Sequence, residues 1–451
     1  MSAALIISPD AAWTALMAGW LRQAGWETHQ AHHGPGGLDL ARRVRPDLVI
    51  CEIHLEGLNG FQICRALRQD AKSPQPSRVI LVSPSQYPID QFSAAEAGAD
   101  DFWFKPATPE FFAEKLAQSP EFNRLPPPAG KIPFGLPGPL PPDATSSARV
   151  EPRTIIRFWG VRGSIPAPGP GTVIHGGNTA CVEIRTGGKT IILDAGTGLR
   201  PLGLALMAGA AGQGVDCDIL LSHTHWDHIQ GLPFFAPLND PLSRIRIHGF
   251  ATADQALADT LRPLMQSPWF PIDWHQLPSR VEVHQLQAPD FQLGETQVRS
   301  SWLNHPGICA GFRLDTASGS VAYLPDHEPF HRYVSSLCAN PDNAAARVSL
   351  AGEQDMRLQR FIAGSDLLIV DAQYDSREYP EFAGWGHGCS TDAVRMAVEA
   401  GVKKLCLFHH DPCHNDEDLD RMTAEAQGLA RAAGSDLVVE CAREGLEIVL
   451  Q

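Results

Sequence analysis

The chain has 451 residues, 43% hydrophobic and 19% charged, a balance that excludes wholesale disorder and a collagen-like repeat and provides for sizeable cores. At roughly 150 residues per domain, this length predicts two or three units. The net charge of −15, from 36 Lys and Arg against 51 Asp and Glu, speaks against a broad phosphate-tracking surface, because nucleic-acid affinity rests on cationic side chains displacing counterions.

In chain order, apolar runs at 3–7, 47–51 and 78–82 predict strands, and amphipathic stretches at 11–24, 36–44, 60–69 and 108–117 predict crossover helices. Residues 1–119 therefore read as a doubly wound α/β domain. From Pro120 to Pro152 ten of 33 residues are proline and no periodicity survives, the composition of an extended linker over 120–152. Strand-like runs follow at 155–159, 181–185, 190–194, 218–222, 245–249, 297–303, 310–314, 320–324, 367–371, 404–408 and 446–450, with helices at 391–400 and 417–433. This predicts a second, larger α/β domain over 153–451, two sheets with helices outside. Apolar runs such as 4–7 and 13–21 stop at Pro9, Asp10 and Arg22, short of the roughly 20 residues of a membrane span. The N-terminus shows no secretion pattern, so the expected address is the cytoplasm, with no membrane partner. Ten cysteines without a CxxC pair read as buried free thiols.

The richest chemical signal is histidine. The apolar run Ile219-Leu220-Leu221-Ser222 leads directly into His223-Thr224-His225-Trp226-Asp227-His228. Alternate residues of an extended chain point to one side, so His223 and His225 can converge on one cation while Asp227 and His228 turn toward a second. Imidazole and carboxylate donors suit zinc, and manganese or iron as well. Further candidates follow apolar runs at His305, Asp326 and His409, with His410 as the alternative to His409 because neighbouring strand residues face opposite ways.

HxHxDH followed by His305, Asp326 and His409 resembles the metallo-β-lactamase superfamily, on the hydrolase branch with ribonuclease Z and the class II cyclic-nucleotide phosphodiesterases. Phe158-Trp159-Gly160-Val161-Arg162-Gly163-Ser164, Gly176-Gly177-Asn178-Thr179, Asp194-Ala195-Gly196-Thr197-Gly198 and Gly384-Trp385-Gly386-His387 carry the same resemblance. It implies an αββα sandwich in which His223, His225 and His305 hold one divalent metal, Asp227, His228 and His409 hold another, and Asp326 bridges them. It also implies that Asp227 accepts the proton of the nucleophilic water and that His387 protonates the leaving oxygen. Family members often place Ser-Thr directly after this histidine; here Gly388-Cys389 intervene, and Ser390-Thr391 are expected to cap the next helix. Asp194 and Asp371 read as residues that orient ligands. His175, His327, His331 and His414 read as surface residues, and the aromatic-rich stretch 229–300 as a cleft wall.

Residues 3–118 resemble a response-regulator receiver, through Pro46-Asp47-Leu48-Val49-Ile50-Cys51-Glu52, Gly57-Leu58-Asn59-Gly60 and Gly98-Ala99-Asp100-Asp101-Phe102-Trp103-Phe104-Lys105-Pro106. Ser83 and Phe102 fall at the family's switch positions and Lys105 at its lysine. Glu52 stands where receivers carry the phosphorylated aspartate, and Ser8-Pro9 replace the acidic pair that binds magnesium, leaving Asp10 nearby. A metal needed for phosphoryl transfer has thus lost most of its ligands, which predicts a non-phosphorylatable domain, with Glu52 paired to Lys105, kept for regulation, for docking a signalling protein or for dimerisation.

Together these features predict a dinuclear metal hydrolase acting on a cyclic nucleotide or other small signalling phosphodiester. A transfer-RNA 3′-processing endoribonuclease is the alternative within the fold, and β-lactamase or thioesterase chemistry comes third. A flavo-diiron oxidoreductase is disfavoured by His225, and a non-catalytic metal-binding signalling module by the full ligand set.

Overall fold

A strand with one face on a core and the other half-covered should alternate, and β6 (Thr154–Gly160) does so, with Thr154, Ile156, Phe158 and Gly160 buried between half-buried neighbours. A strand covered on both faces should be apolar throughout, as β3 (Leu48–Glu52) and β16 (Leu367–Asp371) are, every residue of each being buried. The computed structural model describes residues 2–69, 78–83, 88–105, 153–252, 255–332 and 344–451. The predicted helix at 108–117 and the linker at 120–152 lie outside them.

The N-terminal sheet joins β1 (Ala3–Ile7), β2 (Glu27–Ala31), β3, β4 (Arg78–Ser83) and β5 (Asp101–Phe104) in the order β2-β1-β3-β4-β5, all parallel. Helices α1 (Ala11–Gln23), α2 (Gly34–Val44), α3 (Gly60–Gln69) and α4 (Pro88–Glu96) connect them, as a parallel sheet requires. Strands β2 and β5 and helix α4 add to the elements expected from periodicity.

The C-terminal part has two seven-stranded sheets. One holds β6, β7 (Cys181–Thr186), β8 (Lys189–Leu193), β9 (Asp216–Leu220), β10 (Arg244–Gly249), β11 (Arg280–Gln285) and β19 (Glu447–Leu450), in the order β11-β10-β9-β8-β7-β6-β19. The other runs in sequence order through β12 (Asp290–Leu293), β13 (Thr296–Trp302), β14 (Ala310–Thr316), β15 (Gly319–Leu324), β16, β17 (Lys404–Phe408) and β18 (Val438–Cys441). Their facing sides share one core, with Ile156, Phe158 and Val182 against Phe312, Tyr323 and Phe408. Among helices of eight residues or more, α5 (Leu199–Gly209) covers the first sheet with Leu199 and Leu202. On the second, α6 (Ala344–Ile362), α7 (Ser390–Glu399) and α8 (Asp416–Ala432) bury Leu358, Ala393 and Leu419. The result is an αββα sandwich.

One end of this sandwich collects the chemistry. Strands β9, β15, β16 and β17 belong to parallel ladders, so their C-terminal ends lie on one edge, where an α/β sheet presents ligand-binding loops. The expected helix cap is corrected: α7 begins at Ser390 itself, and Cys389 occupies the N-cap without a side-chain cap bond. A bridge between Tyr374 and Cys389 keeps the chain extended up to Cys389, so the helix opens one residue early.

Candidate metal centre

Each sequence-predicted ligand sits at or just past a strand end. His223, His225, Asp227 and His228 follow β9, His305 follows β13, Asp326 follows β15 and His409 follows β17. The two oxygens of Asp326 face two groups: Oδ2 lies 3.6 Å from both His223 Nε2 and His305 Nε2, while Oδ1 lies 3.1 Å from His228 Nε2 and 3.4 Å from His409 Nε2. His305 Nε2 and His225 Nδ1 are 2.9 Å apart. Asp227 Oδ2 lies 3.1 Å from His409 Nε2 and 3.2 Å from His228 Nε2. The donor atoms of His223, His225, His305 and Asp326 form one cluster, and those of Asp227, His228 and His409 another, each within 4.8 Å.

The donor set fits a pair of divalent cations. Asp326 Oδ1 and His223 Nε2 are fully buried without a hydrogen-bond partner, a costly state that a cation on each side of Asp326 would relieve. His228 Nε2 and His409 Nε2 face each other at 3.3 Å, an arrangement suited to two lone pairs aimed at one ion. Burial holds His223, His225 and His305 below the ordinary histidine pKa, in the neutral form that a metal requires.

The ring nitrogens turned away from the centre are held in place. His223 Nδ1 lies 3.0 Å from Ser222 Oγ, His228 Nδ1 donates to Asp194 at 2.8 Å, His305 Nδ1 to the Gly386 carbonyl at 2.9 Å and His409 Nδ1 to Gln373 Oε1 at 3.1 Å. Asp194, buried and at φ 58°, also accepts from Tyr323 Oη at 2.8 Å and from the Ser222 amide at 2.7 Å. Such partners fix ring orientation. Asp227 Oδ2 accepts the Ser164 amide at 2.7 Å.

His387 stands beside this centre, its Nδ1 2.9 Å from Asp371 Oδ2 and its ring grouped with Asp326 and His409. Burial opposes its protonation, yet Asp371 and the other carboxylates outweigh that and hold it up at about 9. His410 points away, bonded to the Ala442 carbonyl at 2.8 Å, which separates it from His409.

Sequence reasoning missed several supporting groups. Gln373 is one; Glu328 is another, accepting from Tyr379 Oη and from the amides of Gly384 and Gly386, so that it shapes the loop carrying His387. Its signal was an acidic residue two positions past Asp326. The expectation of surface positions fails for His175, His327 and His414, which are buried on Asp420, the Asn304 amide and Glu378 respectively; His331 is half-buried. Of the cleft-wall aromatics, Phe235 belongs to the core whereas Phe234 and Trp269 are exposed. Eight of the nine described cysteines are buried, none is in a disulfide, and Cys413 is exposed.

In the N-terminal sheet, Lys105 Nζ donates to Glu52 Oε2 at 2.7 Å and to Ser8 Oγ at 3.2 Å, while Ser8 Oγ donates to Glu52 at 2.5 Å. Lys105 also lies over the Trp13 ring, 4.3 Å from its centre. Asp10 is 3.8 Å from Lys105 and caps α1 through the Trp13 amide. Ser83 is buried at the end of β4, and its carbonyl accepts the Lys105 amide. Phe102 packs edge-on to Phe104.

Comparison with known proteins divides the chain in the same way. Residues 189–410 match the model of the beta-lactamase superfamily domain, and residues 4–117 match that of the response regulator receiver domain. The DNA-binding response regulator MtrA of Mycobacterium tuberculosis is 32% identical over 106 residues, 24% of this chain and 45% of that protein. The transcriptional regulatory protein AfsQ1 of Streptomyces coelicolor is 38% identical over 102 residues, 23% and 43% of the two chains. The chain thus spans less than half the length of these curated relatives. Among solved structures, YhfI of Bacillus subtilis, described as a metallo-beta-lactamase fold protein, covers 66% of this chain and all of its own at 18% identity and TM-score 0.46. The short form of human tRNase Z covers 66% and 99% at 19% identity and TM-score 0.43. The chain joins a response regulator receiver domain, at its N-terminus, to a C-terminal domain of the β-lactamase superfamily.

Proposed function

We propose that this protein is a dinuclear metal-dependent hydrolase acting on a phosphodiester, with a cyclic nucleotide or other small signalling ester as the substrate class. The observation that carries this reading is Asp326, whose two oxygens face two separate histidine-rich donor sets. Zinc suits the nitrogen and oxygen donors, and manganese or iron can take its place. Two divalent cations held by these residues would supply Lewis acidity at the phosphoryl oxygens and a nucleophile from water near neutral pH. Asp227, oriented by the Ser164 amide, takes the proton released by the attacking water. His387, its Nδ1 anchored on Asp371, delivers a proton from Nε2 to the leaving oxygen.

Two features favour a small ester over RNA. The chain is strongly acidic. Trp226, between His225 and Asp227, and Trp385, two residues before His387, are both 63% exposed and offer flat faces beside the centre for a base. On this reading the domains occupy 1–119 and 153–451, joined by the linker 120–152, and the protein works in the cytoplasm. Among the described residues no helix is long and apolar enough to cross a membrane.

The test is hydrolysis of bis(p-nitrophenyl) phosphate by the metal-analysed protein, with and without chelator. Activity is expected to track two metals per chain, to vanish in Asp227→Ala, and to fall about 100-fold in kcat in His387→Asn with both metals retained. Two bound metals with cleavage of precursor transfer RNA but of no small diester would move the assignment to the endoribonuclease. Bound metal with no ester cleaved at all would leave a metal-binding signalling module.

A further inference from the structure

The loop that carries His305 is gripped by the N-terminal domain. Gly307, two residues past His305 and at φ 81°, donates its amide to Asp90 Oδ1 of α4 at 3.2 Å. His54 stacks on Trp302, the last residue of β13, at 5.6 Å between ring centres and 21° between planes. Ile308 packs against the receiver core of Leu5, Leu55 and Phe61. His54 and Asp90 are 5% and 1% exposed, and His54 Nε2 and Asp90 Oδ2 have no hydrogen-bond partner. Elsewhere in the interface Asn59 Nδ2 donates to the Thr252 carbonyl at 3.2 Å, remote in sequence from any metal ligand.

A loop held at Gly307 by Asp90, at Ile308 by the receiver core and at Trp302 by the His54 stack has little freedom left at His305 between them. His305 Nε2 must point at the centre while its Nδ1 stays on Gly386, so its backbone position decides whether both contacts can be made together. We infer that His54 and Asp90 are positioning residues for the metal centre, acting through Trp302 and Gly307 respectively to set where His305 presents its ring. The receiver domain thereby completes the first metal site without touching it. This rests on the reading of His305 as a ligand.

The experiment uses the full chain and reads metal binding rather than turnover: zinc affinity by competition with a chromophoric chelator, and the absorption spectrum of the cobalt-substituted protein. Asp90→Ala and His54→Ala, which removes the stack on Trp302, are each expected to weaken one of the two metals by about 10-fold and to shift the cobalt bands. Asp90→Asn, which retains the accepting oxygen, and His54→Phe, which retains the stack, should restore both, and Asn59→Ala should change neither. Should Asp90→Ala not fold, His54→Ala carries the same reading. His305→Ala separates the two levels: if it leaves both metals in place, the ligand reading fails. If it loses a metal while Asp90→Ala and His54→Ala bind as the parent does, the positioning role is overturned. An equal loss in Asn59→Ala would overturn it too, by showing that general docking sets the affinity.

Discussion

Gly163 shows how tightly the centre is fitted at the level of single atoms. A Cβ there would lie 2.4 Å from His409 Nδ1 and 2.5 Å from its Cε1, closer than real side chains approach. Gly163→Ala is therefore expected to displace the His409 ring from Gln373 and remove about one metal per chain, with the fold intact; metal analysis beside a circular dichroism spectrum checks this. The residues that gather at this centre were legible, because histidine and aspartate at these spacings after apolar runs have few other uses. The choice between His409 and His410 was not settled by strand alternation alone. His409 adopts φ 60°, a left-handed turn after β17, so the alternation of the strand has already ended where the inward-facing histidine stands. Gln373 and Tyr323 carried no signal at all, since an amide or phenol that steadies a ligand has no required spacing from it.

At the scale of elements, strands with a buried face were readable and the others were not. β2 has the sequence ETHQA and lies at a sheet edge with no fully buried residue, so no apolar pattern marks it. α5 contains Pro201, Gly203 and Gly209, residues that punctuate a helix reading, yet Gly203 lets Phe235 approach to 2.8 Å of where a Cβ would be. One junction between elements should respond to pH. His331 lies between Asp355 of α6 and Asp392 of α7 and is held up at about 9, first by its hydrogen bond to Asp355 and then by Asp392. A histidine raised in the folded state contributes its full stabilisation below the unfolded value of 6.5 and loses it as pH rises through about 9. Partial exposure and the Arg395 guanidinium 2.6 Å from Nε2 both weaken that contribution, leaving about 1 kcal/mol. Urea unfolding free energies are expected to decline across this window in the parent and to be flatter in His331→Gln.

For the molecule as a whole, the receiver has its interior polar site already satisfied. Glu52 is buried against Lys105 and Ser8, so the lysine that an incoming phosphoryl group would need is already engaged, and Ser8 stands in place of a carboxylate for its magnesium. Incubation of the full chain with magnesium and acetyl phosphate is expected to leave its intact mass unchanged, whereas a gain of one phosphoryl group would restore a switching role. Both parent folds could be read from their motifs. Their junction could not, because Asp90, His54 and Ile308 are ordinary residues whose meaning comes from lying opposite one another.

Ile308 also bears on how the chain is made. The N-terminal domain leaves the ribosome first, but part of the apolar packing around Leu5, Leu55 and Phe61 is supplied by a residue about 200 positions later. At bacterial or eukaryotic elongation speeds that interval is roughly 10 to 40 seconds. Throughout it, the nascent receiver exposes the seat for Ile308 and the unpaired rings and carboxylate around it, a surface suited to chaperone capture until the second domain arrives to close it.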